Sequence, residues 1–206
     1  MFKLKNVYYI NLDERKDRKE LVEKELDTMR WEYQRFPAIK HASGRVGCSM
    51  SHLALLEMAK EKDLDYIVIV EDDIQFTNPN MYKLFLVNFF KEEFDYDVLL
   101  LAGNIRPPIK RLAQNTFQVH KSWTTTGYIV RKHYYDTLID NIKEGISLLV
   151  KNPKNDYNTI DAYWMKLQEK DKWLIILPRT ITQRPDHSDI EGRFTNYDHL
   201  MLDKME

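Results

Sequence analysis

The chain has 206 residues, enough for one domain with a full-sized core. Its 43% hydrophobic and 31% charged content is that of an ordinary soluble globular protein, and a formal net charge of −1 excludes a global field for nucleic acid or an anionic membrane. Cys48 is the only cysteine, which excludes an internal disulfide, and no Asn-x-Ser/Thr acceptor occurs.

The N-terminal run Met-Phe-Lys-Leu-Lys-Asn lacks the apolar stretch of a signal peptide and leads directly into Val7-Tyr8-Tyr9-Ile10, which reads as a buried strand. Asp13 is placed to cap a helix running to about Met29. Residues 33–38 read as a weaker strand, and Ser43-Gly44 breaks the chain before a helix over about 48–62. Tyr66-Ile67-Val68-Ile69-Val70 is five large apolar residues, four of them β-branched, and suits a strand buried on both faces. The triplet Glu71-Asp72-Asp73 follows at once. Asn78-Pro79 opens a helix whose most apolar part, 81–90, is too short to span a bilayer and carries Lys83 and Asn88. A buried strand over 97–102 closes at Gly103-Asn104, and Pro107-Pro108 marks a loop. Residues 123–130 read as a strand, 133–143 as a helix, and Asn152-Pro153 begins a long polar loop. Thr159 is placed to cap a helix to about Lys170, and 173–177 is a last strand before a polar tail with a short final helix. Alternating strands and helices with short connections predict one three-layer α/β/α domain around a mixed, mostly parallel, Rossmann-like sheet. With no signal peptide and no membrane span, the expectation is a cytoplasmic protein or a soluble piece of something larger.

Three carboxylates at the end of a buried strand repel one another unless a cation sits among them, and a divalent metal is the usual partner. In open α/β sheets, ligands bind beyond the carboxyl ends of the strands, where this triplet lies. A solvated strand exit would carry acids as well. On the first helix, Arg15, Arg18, Val22, Leu26 and Met29 fall on one face, and Lys16, Glu20, Glu23 and Lys24 on the other. Two inward arginines beside the carboxyl edge of the first strand suit a phosphate; the alternative is that they reach solvent or pair with Asp13 or Asp17. In Val46-Gly47-Cys48-Ser49-Met50-Ser51-His52-Leu53, His52 shares a face with Leu55, Leu56 and Ala59, as a satisfied core histidine does. Cys48 reads as a small buried hydrophobe, and no Cys/His spacing suits a structural zinc. Asp161, in the first turn of its helix, suits either a dipole-favoured cap or a general base. The polar segment 182–190 is either a solvated loop or a cover over the sheet edge that brings in His187 as a nitrogen ligand to a metal.

Taken in series, Tyr9-Ile10-Asn11-Leu12-Asp13 with Arg15 and Arg18, Gly47-Cys48 with Ser51-His52-Leu53, Val70-Glu71-Asp72-Asp73, Thr126-Gly127-Tyr128, Asp161, and Gln183 with Ser188-Asp189-Ile190 resemble glycosyltransferase family 25. That family includes bacterial lipooligosaccharide galactosyltransferases, collagen galactosyltransferases and related viral enzymes. The resemblance implies a GT-A fold and an inverting transfer of a hexose, usually galactose with glucose as the alternative. It also implies a UDP-sugar donor, a glycan or glycoprotein acceptor, and Mn2+ or another divalent cation such as Mg2+. Residues of about 1–105 would form the nucleotide-binding half, and about 106–206 the acceptor-side half and tail. The chain departs from the family at Arg45, where many members carry an acid, and at this length is expected to carry no added acceptor domain.

Resemblance and residue type together give the expected roles. Asp73 would bind the metal, with Glu71 on the same side of the strand and His187 as a third ligand. Asp72 would hold the donor ribose or a metal-bound water, and Asn11, Arg15 and Arg18 the nucleotide. Ser51 and His52 would shape a substrate pocket, and Gly127 would let backbone approach the sugar. Asp161 would take the acceptor proton. Partners would be the donor and the acceptor, with no nucleic acid and no transmembrane segment; a glycolipid acceptor would place the protein peripherally at a membrane. The competing readings are a non-catalytic nucleotide-sugar-binding relative and a metal-dependent phosphoryl-transfer enzyme, the latter lacking a second acid cluster and a basic track.

Overall fold

The computed structural model describes residues 3–203; Met1 and Phe2 of the N-terminal run and the last three residues of the tail lie outside them. The first half contains β1 (Val7–Asn11), α1 (Lys16–Met29), β2 (Tyr33–Pro37), α2 (Gly44–Glu61), β3 (Tyr66–Glu71), β4 (Ile74–Phe76), α3 (Pro79–Lys91), β5 (Val98–Leu100) and β6 (Asn104–Ile105). Next come β7 (Ile109–Arg111), β8 (Thr116–Val119), β9 (Ser122–Trp123), β10 (Gly127–Arg131), α4 (Tyr135–Lys151), α5 (Ile160–Tyr163) and α6 (Met165–Gln168). The chain closes with β11 (Trp173–Ile176), β12 (Ile181–Gln183), β13 (Asp186–Ser188), β14 (Arg193–Thr195) and α7 (Asp198–Met201).

The main sheet has eight strands in the order β2-β1-β3-β10-β5-β11-β8-β7. Strands β2, β1, β3, β5, β11 and β7 run one way, and β10 and β8 run the other. The sheet is therefore mixed and mostly parallel, as expected. Strand alternation sends Val7, Tyr9, Val68 and Val70 into a core shared with Val22 and Leu26 of α1 and Tyr82, Leu86 and Phe89 of α3. It sends Tyr8, Ile10, Ile67 and Ile69 into a second core with Leu55, Leu56 and Ala59 of α2 and Leu138, Ile139 and Ile142 of α4. Helices thus cover both faces, which gives the three-layer α/β/α domain. Each such fully buried aliphatic side chain contributes about 1.5–3 kcal/mol. Among the described residues, no helix is long and apolar enough to cross a membrane.

Several local expectations are corrected. Asp13 does not cap α1: the helix starts at Lys16 with Arg15 at its N-cap and no side-chain cap, and the Asp13 carboxylate goes instead to Arg35 Nη2 at 2.6 Å. The second helix begins at Gly44, ahead of the expected start, and α4 extends to Lys151. The predicted helix from Thr159 to Lys170 is two short turns joined at Trp164, whose fully buried indole packs edge-on against Tyr128 and Trp173. The predicted strand over 123–130 is interrupted, with residues 124–126 looping between β9 and β10. The tail is not irregular: β12 pairs antiparallel with β4, and β13 and β14 form a hairpin.

Candidate active site

β1 and β3 are parallel neighbours, so both carboxyl ends arrive at one edge of the sheet, with Ile10 opposite Glu71. Asp72 and Asp73 lie in the turn between β3 and β4. The two-residue period of the strand therefore stops at Glu71, and the three acids separate.

Asp72 faces β1 and α1. Its Oδ2 accepts from Asn11 Nδ2 at 2.7 Å and its Oδ1 from Arg18 Nη1 at 3.1 Å. Asn11 also donates to the Arg15 carbonyl at 3.0 Å, while its Oδ1 accepts from Arg35 at 3.0 Å. Both amide hydrogens of Asn11 are thus used to fix Asp72 and the entry to α1. Asp73 lies 3.7 Å from Arg18, and its Oδ1 is buried with no hydrogen-bond partner. Burial, followed by repulsion from Glu71 and Asp72, pushes the Asp73 carboxyl well above the usual carboxylate range, against the pull of Arg18. A buried carboxylate oxygen without a donor, in an all-oxygen pair with Asp72, is a donor set that Mn2+ or Mg2+ would satisfy.

Both arginines point inward, with side chains 15% and 11% exposed, and both meet acids. Arg15 pairs with its local neighbour Asp17 and, across the chain, with Asp186 at 2.7 Å and Asp189 at 2.6 Å. Arg18 bridges Asp72 and Asp186 and donates to the His187 carbonyl at 2.9 Å. The tail hairpin is thereby tied to α1 by charge.

Glu71 turns the other way, toward α2. Its Oε1 accepts from Thr125 Oγ1 at 2.7 Å and meets His52 Nε2 at 3.3 Å and Cys48 Sγ at 3.7 Å; its Oε2 accepts from Gln183 at 3.4 Å. Burial raises the Glu71 carboxyl, but the contacts with His52, Thr125 and Cys48 outweigh it and hold it below its ordinary value. His52 is fully buried and its Nδ1 meets the Tyr128 hydroxyl at 2.8 Å, so both ring nitrogens are partnered.

Asp161 does not cap its own helix. Its Oδ2 accepts from the Thr124 backbone N–H at 3.1 Å and its Oδ1 from Thr159 Oγ1 at 2.9 Å. Thr124 has φ = 81°, a costly conformation for a β-branched residue. The strained residue stands between Asp161 and Thr125, the donor to Glu71.

Two cavities open on these groups. One, of about 630 Å3, is lined by Asn11, Arg18, Ser51, His52, Asp72 and Asp73 among others. The second, of about 450 Å3, is lined by Trp123, Thr124, Thr125, Asp161 and Tyr197 among others. Both share the wall made by Cys48, Glu71, Gln183, Ser188 and Ile190. Arg45, the departure from the family pattern, pairs with Asp156 on the lining of the second cavity.

Other expected site residues fall elsewhere. Ser51 lines the first cavity, but its hydroxyl is committed to the Gly47 carbonyl and the Ile39 N–H, each at 2.8 Å, and so pins the cavity wall to α2. A side chain at Gly47 would meet the Ile39 carbonyl at 2.5 Å, which is why that wall can approach the helix. Gly127 lines neither cavity: a Cβ there would face Ile74, Leu101 and Val70, so its bareness serves core packing and not approach to a sugar. Glu71, Asp73 and His187 do not assemble as a ligand trio. Among the described residues the only three such ligand atoms within 4.8 Å of one another belong to Cys48, His52 and Glu71. His187 is exposed because β13 alternates, turning its neighbours Asp186 and Ser188 inward and its ring outward. Arg35, Thr125 and Asp186 were not foreseen; they reach the site only through long-range pairing.

Comparison with known proteins agrees with this geometry. The model of glycosyltransferase family 25 (LPS biosynthesis protein) matches residues 40–164, more than half of the chain. A Haemophilus influenzae protein named "Putative glycosyltransferase" is 37% identical over 70 residues, covering 34% of this chain and 24% of that protein. A Drosophila melanogaster "Glycosyltransferase 25 family member" is 23% identical over 196 residues, covering 78% of this chain and 30% of that protein. The chain thus spans less than a third of the length of either relative. The crystal structure of a glycosyltransferase involved in the glycosylation of the major capsid of PBCV-1 superposes with a TM-score of 0.53 at 12% identity, over 84% of this chain and 81% of that one, and shares the fold. With the motif series, the carboxyl-edge acids and the family match in agreement, this chain belongs to glycosyltransferase family 25.

Proposed function

We propose that this chain transfers a hexose, galactose in the first instance, from a UDP-sugar to a hydroxyl of a glycan or glycoprotein, with inversion at the anomeric carbon and dependence on Mn2+ or Mg2+. One observation carries the reading: two cavities share a wall, with acids and Arg18 on one side and Asp161 on the other. Inversion by a single displacement needs the leaving diphosphate and the incoming hydroxyl on opposite sides of the reacting carbon. The larger cavity is the donor site and the smaller one the acceptor site.

Asp72 and Asp73 would hold the cation, which supplies positive charge against the diphosphate of the donor. Arg18, and Arg15 when released from the tail acids, add charge at the same end. Asp161 takes the proton of the acceptor hydroxyl; Thr124 and Thr159 fix its carboxylate by one hydrogen bond each and leave further lone pairs for that proton. Trp123 and Tyr197 offer apolar faces for the acceptor ring. Ser188 and Ile190 of the tail line both cavities, where they would help to keep water from the reacting carbon. We place the protein in the cytoplasm, peripheral to a membrane where its acceptor is a glycolipid.

The test is a panel of UDP-sugars with manganese, read as release of UDP. UDP-galactose should give the fastest release, abolished by chelator. Tight UDP binding without release from any sugar would instead favour a non-catalytic relative.

A further inference from the structure

We propose that Cys48, His52 and Glu71 form a second cation site, for a zinc-class divalent ion, separate from the carboxylates of Asp72 and Asp73. The three ligand atoms lie within 4.8 Å of one another, with Nε2 of His52 at 3.3 Å and Sγ of Cys48 at 3.7 Å from the same oxygen of Glu71. In a tetrahedral zinc site with bonds of about 2.0–2.3 Å, neighbouring ligand atoms stand roughly 3.3–3.6 Å apart. The cluster is within a few tenths of an ångström of that spacing along both measured edges.

The chemistry of the set selects the ion. A thiolate, an imidazole and one carboxylate favour zinc over manganese or magnesium, whereas the oxygen-only pair of Asp72 and Asp73 favours the harder ions. Thiolate and carboxylate together balance a doubly charged cation while histidine stays neutral. The proton that must leave the Cys48 thiol passes to solvent through the cavities. The outer contacts are those of a ligating histidine: Nδ1 meets the Tyr128 hydroxyl at 2.8 Å, which accepts the Nδ1 proton when Nε2 binds metal. Thr125 donates at 2.7 Å to the same Glu71 oxygen and so fixes its position. Cys48 and Glu71 line both cavities, so an ion held there would sit on the wall that donor and acceptor share.

Cobalt(II) titration of the intact protein tests the site without recourse to activity. One equivalent should produce a thiolate-to-cobalt absorption band in the near ultraviolet, displaced by zinc. Because Cys48 is the only cysteine, Cys48→Ser must abolish the band, while Asp73→Asn must retain it. A second measurement needs no variant: one equivalent of zinc should slow alkylation of Cys48 by iodoacetamide at least about tenfold, and magnesium should not. Cobalt binding without the band, loss of the band in Asp73→Asn, or alkylation unaffected by zinc would each overturn the assignment.

Discussion

At Asp73, burial and like charge both act against ionisation, and the consequence can be read from stability. Its carboxyl binds a proton more tightly in the folded chain than in the unfolded one. Such a group costs stability as pH rises through its folded titration, because the folded state must then hold the charge that burial disfavours. The cation-free protein should therefore lose stability as pH rises above the usual carboxylate range. Asp73→Asn cannot ionise: with chelator present, its stability should fall less with rising pH than that of the wild type. The same variant should lose the stabilisation that manganese gives the wild type, both effects being read by thermal melts. An unchanged manganese effect in Asp73→Asn would move the cation elsewhere. Asp161 makes a different prediction. Asp161→Asn keeps the shape and one acceptor oxygen, so UDP affinity should stay within about twofold while turnover falls a hundredfold or more. Calorimetry and single-turnover rates separate the two; full turnover in the variant would identify another base.

Among the elements, the hairpin of β13 and β14 is tied to α1 by charge. Asp186 receives Arg15 at 2.7 Å and Arg18 at 3.0 Å. Burial raises its carboxyl, but the His187 backbone N–H and the two arginines outweigh burial and hold it below its ordinary value. A carboxyl with a depressed folded pKa contributes stability at pH above its unfolded value and loses it as pH falls through the folded one. Acidification below the usual carboxylate range should thus loosen the hairpin first, seen as faster amide exchange at residues 186–195, corrected for intrinsic rate. Asp186→Asn should show that faster exchange already at neutral pH. An acid-resistant hairpin would mean that packing, and not these ion pairs, holds it. Sequence alone could not have shown this element. β13 and β14 are each three residues long, too short for a periodic signal, and Asp186 of β13 finds its partners more than 160 residues away. The same reason hid β4 and β12, which pair only once the chain has returned past the first cavity. By contrast β1, β3 and β11 were legible because unbroken apolar runs fit strands buried on both faces, and α3 because Asn78 does accept from the Met81 N–H at 3.1 Å.

At the scale of the whole molecule, one antiparallel strand decides where the chemistry lies. β10 runs between β3 and β5 against their direction, with Gly127 opposite Val70, so the residues just before β10 arrive at the carboxyl edge of β3. That insertion sets Thr125 against Glu71 and Thr124 against Asp161, joining acids that lie 90 positions apart in sequence. The motifs showed which residues matter; the strand order shows that Glu71 belongs with α2 and the shared wall, and Asp73 with Arg18. A donor in the larger cavity would touch β1, α1, α2, the β3 turn and the tail at once, and binding should therefore stabilise the domain as a unit. At a hundredfold excess over its dissociation constant, a ligand adds about 2.7 kcal/mol. For a domain of this size that corresponds to a rise of roughly 5–10 °C in melting temperature. UDP with manganese should give that rise, and should protect the exposed Arg193 in the tail hairpin from trypsin. UDP without the ion should give a smaller shift, because Asp72 and Asp73 would then repel the diphosphate. A melting temperature that saturating UDP and manganese leave unmoved would show that the larger cavity is not the nucleotide site, whatever the smaller one accepts.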